Sequence, residues 1–409
     1  MQVRPECRDT LSFGMEGREV KAGFLLVSVL TELVSIAVCS GLSAQVGEKL
    51  KFQTPTTSNS QAASDDVGSD SRAEEELRKG TALTRAGLFA QAIPHLRAAL
   101  AGSSNDYAAK FNLSLSFVAM GQPKLAIPIL SSLSAAGHDN VDVNNLLAQA
   151  YVGDGQNQKA LEALQKAARL APENERLYLF VADACMEKQQ YALGLEVVDW
   201  GLDRLPNSGQ LHYQRGMFLV LLDELDAGKK DFDLAGGFAP DPDLAFLAST
   251  QKAMLEGNVL AAVRIAREAV KKGDHDYRLL TLLGEALLRT GTSPGEKEFK
   301  EAQEALEKAV AERPNYAGSQ LALGKVALLD NRMDEAIAHL ETARDLNPDN
   351  ASVYSNLAVA YRRRGDLQKA QNMLAVLANI NQAQAEKFRS APENQKPGYS
   401  GQSAPAKHP

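Results

Sequence analysis

Apolar and polar residues between 317 and 384 form the same pattern twice, and the two copies are 34 residues apart. Within each copy, small and large apolar residues recur three or four positions apart, which is the spacing of one face of an α-helix. Each copy therefore predicts two helices joined by a turn. The matching residues are Leu323 and Leu357, Gly324 and Ala358, Ala336 and Ala370, and Leu340 and Leu374.

Carried back along the chain, this register predicts nine repeats, with six extra residues at 292–297 in the seventh. The predicted starts are residues 73, 107, 141, 175, 209, 243, 277, 317 and 351. Two columns of the alignment contain only small residues, which is what close helix crossing requires. The eighth positions are Gly80, Ser114, Ala148, Ala182, Gly216, Thr250, Gly284, Gly324 and Ala358, and the twentieth are Ala92, Ala126, Ala160, Gly194, Gly228, Ala262, Ala302, Ala336 and Ala370.

Turn residues and large apolar residues keep the same register. Six repeats have glycine at position fifteen and the eighth has Asn331, which predicts a helix-ending backbone with positive φ. Cys185 takes the eleventh place of its repeat, where we interpret it as a small buried apolar residue rather than a reactive thiol. Position twenty-four is expected to fill the space between helix pairs. Its residues are Leu96, Leu130, Leu164, Val198, Phe232, Leu306, Leu340 and Leu374.

The 34-residue period and these columns closely resemble the tetratricopeptide repeat family, in the form found in exported bacterial proteins. The resemblance implies an all-α fold, a right-handed α-solenoid of about nine helix-turn-helix repeats. It also implies that the first helices of successive repeats line a concave groove and that the protein binds other proteins or peptides.

Composition and charge narrow the function further. A net charge of −7 provides no basic surface for nucleic acid, so no nucleic-acid partner is expected. Three widely spaced cysteines cannot form a disulfide framework, and the six histidines are scattered among the repeats. No catalytic motif is found, so the chain is predicted to be non-enzymatic, without cofactor or metal.

Residues 22–39 are apolar, follow Arg18 and Lys21, and precede small residues up to Ala44. This order is typical of an export signal, and cleavage after Ala44 is predicted. Two alternatives are an uncleaved membrane anchor, which Glu32 disfavours, and lipid attachment at Cys39. Translation is expected to start at Met1 or at Met15 in each of these three cases. Contact with a membrane is expected only through this segment.

The remaining boundaries follow from composition. Residues 1–44 form the targeting segment, 45–72 a polar disordered spacer, 73–390 the repeat array and 391–409 a proline-containing disordered tail. Residues 385–390 are expected to extend the last helix as a cap over the array. The expected location is the periplasm or the bacterial envelope.

The resemblance implies that positions two, five, nine, twelve and thirteen face the groove. In repeats five and six these positions bear no charge, which predicts an apolar strip for a hydrophobic helix or extended peptide. The alternative is self-burial, by closure of the superhelix, dimerisation or folding of the tail into the groove. The first of the ten lining positions in these two repeats is Gln210. The other nine are the candidate residues, namely Tyr213, Met217, Val220, Leu221, Leu244, Leu247, Gln251, Met254 and Leu255.

A second candidate surface is the basic end formed by Arg362, Arg363 and Arg364, which suits an acidic partner or is only a solvated helix face. Taken together, the sequence predicts a scaffold or adaptor of the cell envelope. A chaperone-like carrier of apolar segments and a regulatory subunit of a separate enzyme are the alternatives. The identity of the partner and the oligomeric state are left open.

Overall fold

A computed structural model describes residues 67–102, 107–240 and 242–390, and this part of the chain folds into eighteen α-helices. Consecutive helices pack as nine antiparallel pairs, so the predicted all-α solenoid of about nine repeats is confirmed. The helices of pairs one to five are α1 (Val67–Arg85), α2 (Phe89–Gly102), α3 (Tyr107–Ala119), α4 (Pro123–Ala135), α5 (Val141–Gly153), α6 (Asn157–Leu170), α7 (Glu175–Glu187), α8 (Tyr191–Leu202), α9 (Gly209–Leu221) and α10 (Leu225–Gly237). Those of pairs six to nine are α11 (Pro242–Leu255), α12 (Val259–Lys272), α13 (Tyr277–Arg289), α14 (Lys297–Glu312), α15 (Ala317–Leu329), α16 (Met333–Leu346), α17 (Ala351–Arg364) and α18 (Leu367–Ser390).

The first helix of every pair but the first begins within one residue of the predicted repeat start. Helix α1 instead begins at Val67, so the assignment of residues 67–72 to a disordered spacer is wrong. Ser71 and Arg72 in this helix are exposed, and an exposed turn of helix needs no apolar face. The predicted targeting segment 1–44, residues 45–66 and the predicted tail 391–409 lie outside the described residues.

The small residues at position eight let the two helices of a pair approach closely. A Cβ atom added to Gly284 would lie 2.5 Å from Leu306 Cγ, and one added to Gly324 would lie 2.7 Å from Leu340 Cγ. Positions eight and twenty-four are therefore the two sides of one contact within each of these pairs. Both leucines are fully buried.

The backbone at position fifteen has positive φ in all nine repeats, which confirms the turn prediction for the glycines and for Asn331. Gln189 and Asp223 take the same conformation in repeats four and five, with φ of 54° and 67°. The remaining members of this column are Gly87, Gly121, Gly155, Gly257, Gly291 and Gly365.

A side chain at position four binds the carbonyl oxygen of the proline that closes the preceding repeat. Such carbonyl groups lie beyond a helix end and have no partner within the helix. This bond recurs in four repeats and ties each pair to the one before it. The donor and acceptor pairs are Tyr178 and Pro172 (3.1 Å), His212 and Pro206 (3.0 Å), Gln320 and Pro314 (2.7 Å), and Tyr354 and Pro348 (2.7 Å).

Two segments outside the regular repeat lie on the surface. The extra residues of the seventh repeat form an exposed turn in which Glu296 Oε2 accepts from Thr292 Oγ1 at 3.0 Å. Helix α18 continues through residues 385–390, as expected for an extension of the last helix. Leu374 is 52 % exposed, so its predicted packing role is wrong; among the described residues no further helix pair packs on α18.

None of the helices in the described part of the chain is long and apolar enough to cross a membrane. The apolar segment 22–39 lies outside this part.

Candidate partner groove

The nine residues predicted to line the groove lie along α9 and α11, the first helices of repeats five and six. Leu221 and Leu255 are half-buried at the ends of the two helices. The others are buried, namely Tyr213, Met217, Val220, Leu244, Leu247, Gln251 and Met254. The expectation of an open apolar strip is therefore wrong. Helix α11 packs against both α9 and α13, and the curvature of the array at these three helices covers the strip.

Arg278, from the start of α13, covers part of this buried strip with a charged group. Its guanidinium carbon lies 5.8 Å from the centre of the Tyr213 ring, two repeats earlier in the chain. Its Nε and Nη2 atoms also bind the two carboxylate oxygens of Asp276, at 3.0 Å and 2.8 Å. A quarter of the Arg278 side chain stays exposed (25 %), so the inner surface presents a cation above aromatic and aliphatic side chains.

Asp183, on α7, adds a carboxyl group to the same inner surface. Burial raises its pKa to about 6, against the opposing effects of Arg278, of a hydrogen bond from Gln214 and of Arg313, while Glu187 raises it further. Gln214 Nε2 donates to Asp183 Oδ1 at 3.1 Å. The charge of this inner face therefore changes close to neutral pH.

Cys185 lies two residues further along α7 and is fully buried. Burial, together with the nearby Asp183, raises the pKa of its thiol to about 12. A thiol that stays protonated is a poor nucleophile, which agrees with its interpretation as a buried apolar residue.

Three buried side chains of repeats six and seven have a polar atom for which the described residues supply no hydrogen-bond partner. These atoms are Gln251 Nε2, Arg313 Nη1 and Tyr316 Oη. Arg313 lies over Tyr277, with 5.0 Å between its guanidinium carbon and the ring centre, and the rings of Tyr277 and Tyr316 meet edge to face at 4.9 Å. All three free atoms can donate a hydrogen bond to an oxygen.

The basic end at the last turn of α17 is partly neutralised within the chain. Arg364 binds Asp334 at 3.0 Å and also binds Asp366. Arg363 Nη1 donates to the carbonyl oxygen of Leu328 at 3.0 Å. Arginines in a last turn also suit the helix dipole. These contacts within the chain explain two of the three arginines, with no need for a bound partner. An acidic partner for this end stays a prediction.

The superhelix touches itself where repeat four meets the end of repeat eight. Gln189 Nε2, after α7, donates to Asp349 Oδ2, before α17, at 3.3 Å. This single exposed hydrogen bond covers none of the apolar strip, so self-burial by closure stays a prediction. Among the described residues, no group of three or more His, Cys, Asp or Glu side chains is arranged to hold a metal ion.

Comparison with known families matches more than half of the chain to tetratricopeptide repeat models. One such model matches residues 83–150 and 327–391, and a second matches residues 145–219 and 297–350. Together the matched ranges cover residues 83–219 and 297–391.

Two relatives share shorter segments with the chain. A BBSome complex member, the BBS4 homolog of Drosophila melanogaster, is 27% identical over 129 residues, which are 30% of this chain and 26% of that protein. The chloroplastic tetratricopeptide repeat domain-containing protein PYG7 of Arabidopsis thaliana is 30% identical over 106 residues, 26% of this chain and 35% of that protein. The matched segments thus span about a quarter to a third of these relatives.

Solved structures with similar helical repeats include a tetratricopeptide repeat protein from Parabacteroides merdae. It is 17% identical, and the match covers 71% of this chain and 99% of that one, with a TM-score of 0.42. PilF of Pseudomonas aeruginosa is 18% identical, with coverage of 58% and 99% and a TM-score of 0.36. The Cut9–Hcn1 structure of the APC/C is 13% identical, with coverage of 70% and 55% and a TM-score of 0.43.

Proposed function

Since this chain belongs to the tetratricopeptide repeat family, we propose that it is a non-enzymatic scaffold that binds a segment of a protein partner along the inner face of repeats five to eight. Solenoids of stacked helix pairs use their extended concave surface for binding.

The observation that carries this proposal is the inner face at Arg278, whose side chain is 25% exposed above Tyr213, together with buried donors of Arg313 and Tyr316 for which the described residues supply no acceptor. A buried donor without an acceptor costs about 1–3 kcal/mol, so such groups call for a partner or a bound water. An extended peptide supplies one carbonyl oxygen per residue. The half-buried Leu221 and Leu255, at the C-terminal ends of α9 and α11, supply apolar contacts at the rim of the inner face.

The burial of the strip favours a scaffold over the chaperone-like carrier. A carrier of unrelated apolar segments needs an open apolar surface, whereas seven of the nine predicted groove residues are buried. A partner that presents oxygen acceptors to fixed donors is recognised more specifically, as a scaffold requires. No contact in the described residues favours a regulatory role.

The proposal is tested by affinity capture from the native host with the full chain and the double variant Leu221→Glu/Leu255→Glu. Two carboxylates at the rim should lower recovery of the inner-face partner about tenfold or more. The matched control is Leu260→Glu, at an outer residue that is 75 % exposed. Circular dichroism and thermal unfolding of each variant show whether the fold is kept.

Loss of the same few proteins with the double variant, and their retention with Leu260→Glu, supports the inner face as the binding surface. Equal recovery by the folded double variant and by the control contradicts the proposal.

We propose further that the chain is exported to the periplasm or envelope. Support comes only from the sequence of residues 18–44, with its basic flank, apolar run and small residues. N-terminal sequencing of the protein from its host tests this, with Gln45 expected as the first residue. A chain that retains residues 22–39 contradicts cleavage.

A further inference from the structure

The outer face of the solenoid contains a cleft of about 550 Å³ between the second helices of repeats three and four, α6 and α8. This volume lies in the range of about 300–1,000 Å³ that is usual for binding sites. Residues of α6, α7 and α8 line it together with the turn before α7. The lining includes Ala168, Arg169, Pro172, Tyr178, Trp200 and Arg204.

Trp200 is the one tryptophan of the chain, and it stands at a place in the repeat that faces solvent. It is the twenty-sixth residue of repeat four. In the other repeats from one to eight, the residue at this place is exposed, as Lys166, Glu268 and Lys308 are. Trp200 is half-buried, because it packs against the core where it lies along the cleft. Since the other repeats place exposed residues of other types here, the regular packing of the repeat does not require a tryptophan.

The centre of the cleft is apolar and rigid. Tyr178 is 1% exposed, and its hydroxyl group donates to the Pro172 carbonyl oxygen at 3.1 Å, which fixes the ring as part of the lining. Ala168 and Trp200 are half-buried beside it. An apolar centre with aromatic side chains and a polar, exposed edge is the usual composition of a protein–protein contact surface.

Two exposed arginines form the edge of the cleft, and neither has a carboxylate partner among the described residues. Arg169 Nε donates only to the carbonyl oxygen of Gln165, at 3.3 Å. The Arg204 guanidinium has no ion pair or hydrogen bond within the described part of the chain; its backbone N–H donates to the Gly201 carbonyl oxygen at 3.1 Å. Elsewhere on the outer face, Arg267 binds both carboxylate oxygens of Glu301, at 2.7 Å and 2.6 Å.

The charge at the edge selects the kind of partner. Arg169 and Arg204 outnumber the one acidic residue of the lining, Asp203, on a chain whose net charge is −7. A local excess of positive charge favours a segment that carries carboxylates. Tryptophan, tyrosine and arginine are also the residues that most often dominate binding energy at interfaces.

We propose that the cleft between α6 and α8 is a second docking site, separate from the inner face, for an acidic extended segment of a partner protein. An apolar side chain of that segment packs on Trp200, which Tyr178 supports from below, while flanking carboxylates pair with Arg169 and Arg204. The site lies on the opposite face of the helix pairs from the inner surface, so a scaffold of this kind binds two proteins at once.

The fluorescence of Trp200 tests the proposal directly, because no other tryptophan contributes to the emission. The probe is a blocked synthetic peptide, Glu-Glu-Leu-Pro-Leu-Glu-Glu, titrated into the full chain at low salt. Burial of the indole should shift its emission to shorter wavelength with saturable binding. The same peptide with glutamine in place of every glutamate should bind at least threefold more weakly.

Matched variants separate the cleft from general charge effects. Arg169→Gln/Arg204→Gln should weaken binding of the acidic peptide about threefold or more. Arg264→Gln/Lys308→Gln, which removes the same charge from exposed outer residues of α12 and α14, should not. Trp200→Ala, followed by polarisation of a labelled peptide, should weaken binding about tenfold. This variant is expected to fold, since Ala98 holds the equivalent place in repeat one.

Four results would overturn the proposal. The first is no saturable binding up to millimolar peptide, and the second is equal affinity of the two double variants for the acidic peptide. The third is an emission shift that follows protein concentration without peptide, which indicates that a second copy of the chain occupies the cleft. The fourth is an emission shift on deletion of residues 391–409, which indicates that the chain's own tail occupies it.

Discussion

At the scale of single residues, this solenoid depends on places where no side chain fits. Gly284 on α13 faces Leu306 on α14, and Cβ at that glycine would lie 2.5 Å from Leu306 Cγ. Real Cβ contacts are longer, so α14 or its leucine has to move if any side chain is added. Packing this close is a property of a particular pair of positions rather than of glycine in general.

Gly284→Ala is therefore expected to lower the free energy of unfolding by about 1–3 kcal/mol through overpacking. The matched control is Gly237→Ala on α10, where a new Cβ meets no atom within 4 Å. This change should be neutral or stabilising by up to about 1 kcal/mol, because alanine is the better helix former. Urea unfolding followed by circular dichroism measures both, and equal midpoints for the two variants would contradict the packing argument.

At the scale of elements, the fifth helix pair is joined by a buried polar network. Asp231 on α10 is 3% exposed and accepts from His212 Nδ1 at 2.7 Å. It also accepts from Arg215 Nε at 2.8 Å and from Arg215 Nη2 at 2.7 Å. Arg215 contacts Asp199 as well, at 3.3 Å, and the Asp199 side chain is 50% exposed. The same arginine thus has one buried and one exposed partner.

Asp231→Asn should lower the free energy of unfolding by about 2–4 kcal/mol, because it leaves donors of His212 and Arg215 without a charged acceptor. Asp199→Asn, which removes the exposed partner of the same arginine, should cost less than about 1 kcal/mol. Thermal unfolding of the two variants side by side provides the comparison. Similar losses would show that burial does not set the strength of this network.

At the scale of the whole molecule, side chains from distant repeats meet on the inner face. Arg278 of repeat seven reaches Tyr213 of repeat five and acts on the charge of Asp183 in repeat four. The contact of Gln189 with Asp349 joins repeats four and eight. These contacts depend on how tightly the solenoid curves, so they report on the curvature of the array as a whole.

The raised pKa of Asp183 predicts a pH-dependent stability. Its value of about 6 exceeds the ordinary 3.8, because burial disfavours the charged carboxylate. Between about pH 4 and 6, the unfolded chain loses this proton while the folded chain keeps it, so stability falls as pH rises through this window. Above pH 6 the decrease in the free energy of unfolding is complete, and it amounts to at most about 3 kcal/mol.

Asp183→Asn should therefore stabilise the protein above pH 6 and leave its stability unchanged below about pH 4. The amide oxygen of asparagine can still accept from Gln214. Unfolding midpoints of both proteins at a series of pH values measure the difference. A difference that does not change with pH would contradict the assigned titration.

The local pattern of residues determined most of the architecture. Repeat starts, the helix pairs, the left-handed turn at Asn331 and the small residue at Gly284 all follow from spacing within 34 residues, because the forces that set them act between neighbours in sequence. The hydrogen bond from position four to the closing proline could also have been predicted from the sequence, since Tyr178 and Tyr354 recur in register with Pro172 and Pro348.

The tertiary structure alone decided what the inner and outer faces present. The strip around Met217 and Leu247 has the composition of an open groove, yet the curvature of the array buries it, and curvature sums many small rotations between repeats that no single segment encodes. The same curvature brings Arg278 over Tyr213. The cleft beside Trp200 likewise depends on the separation of α6 and α8, two helices that are not adjacent in sequence.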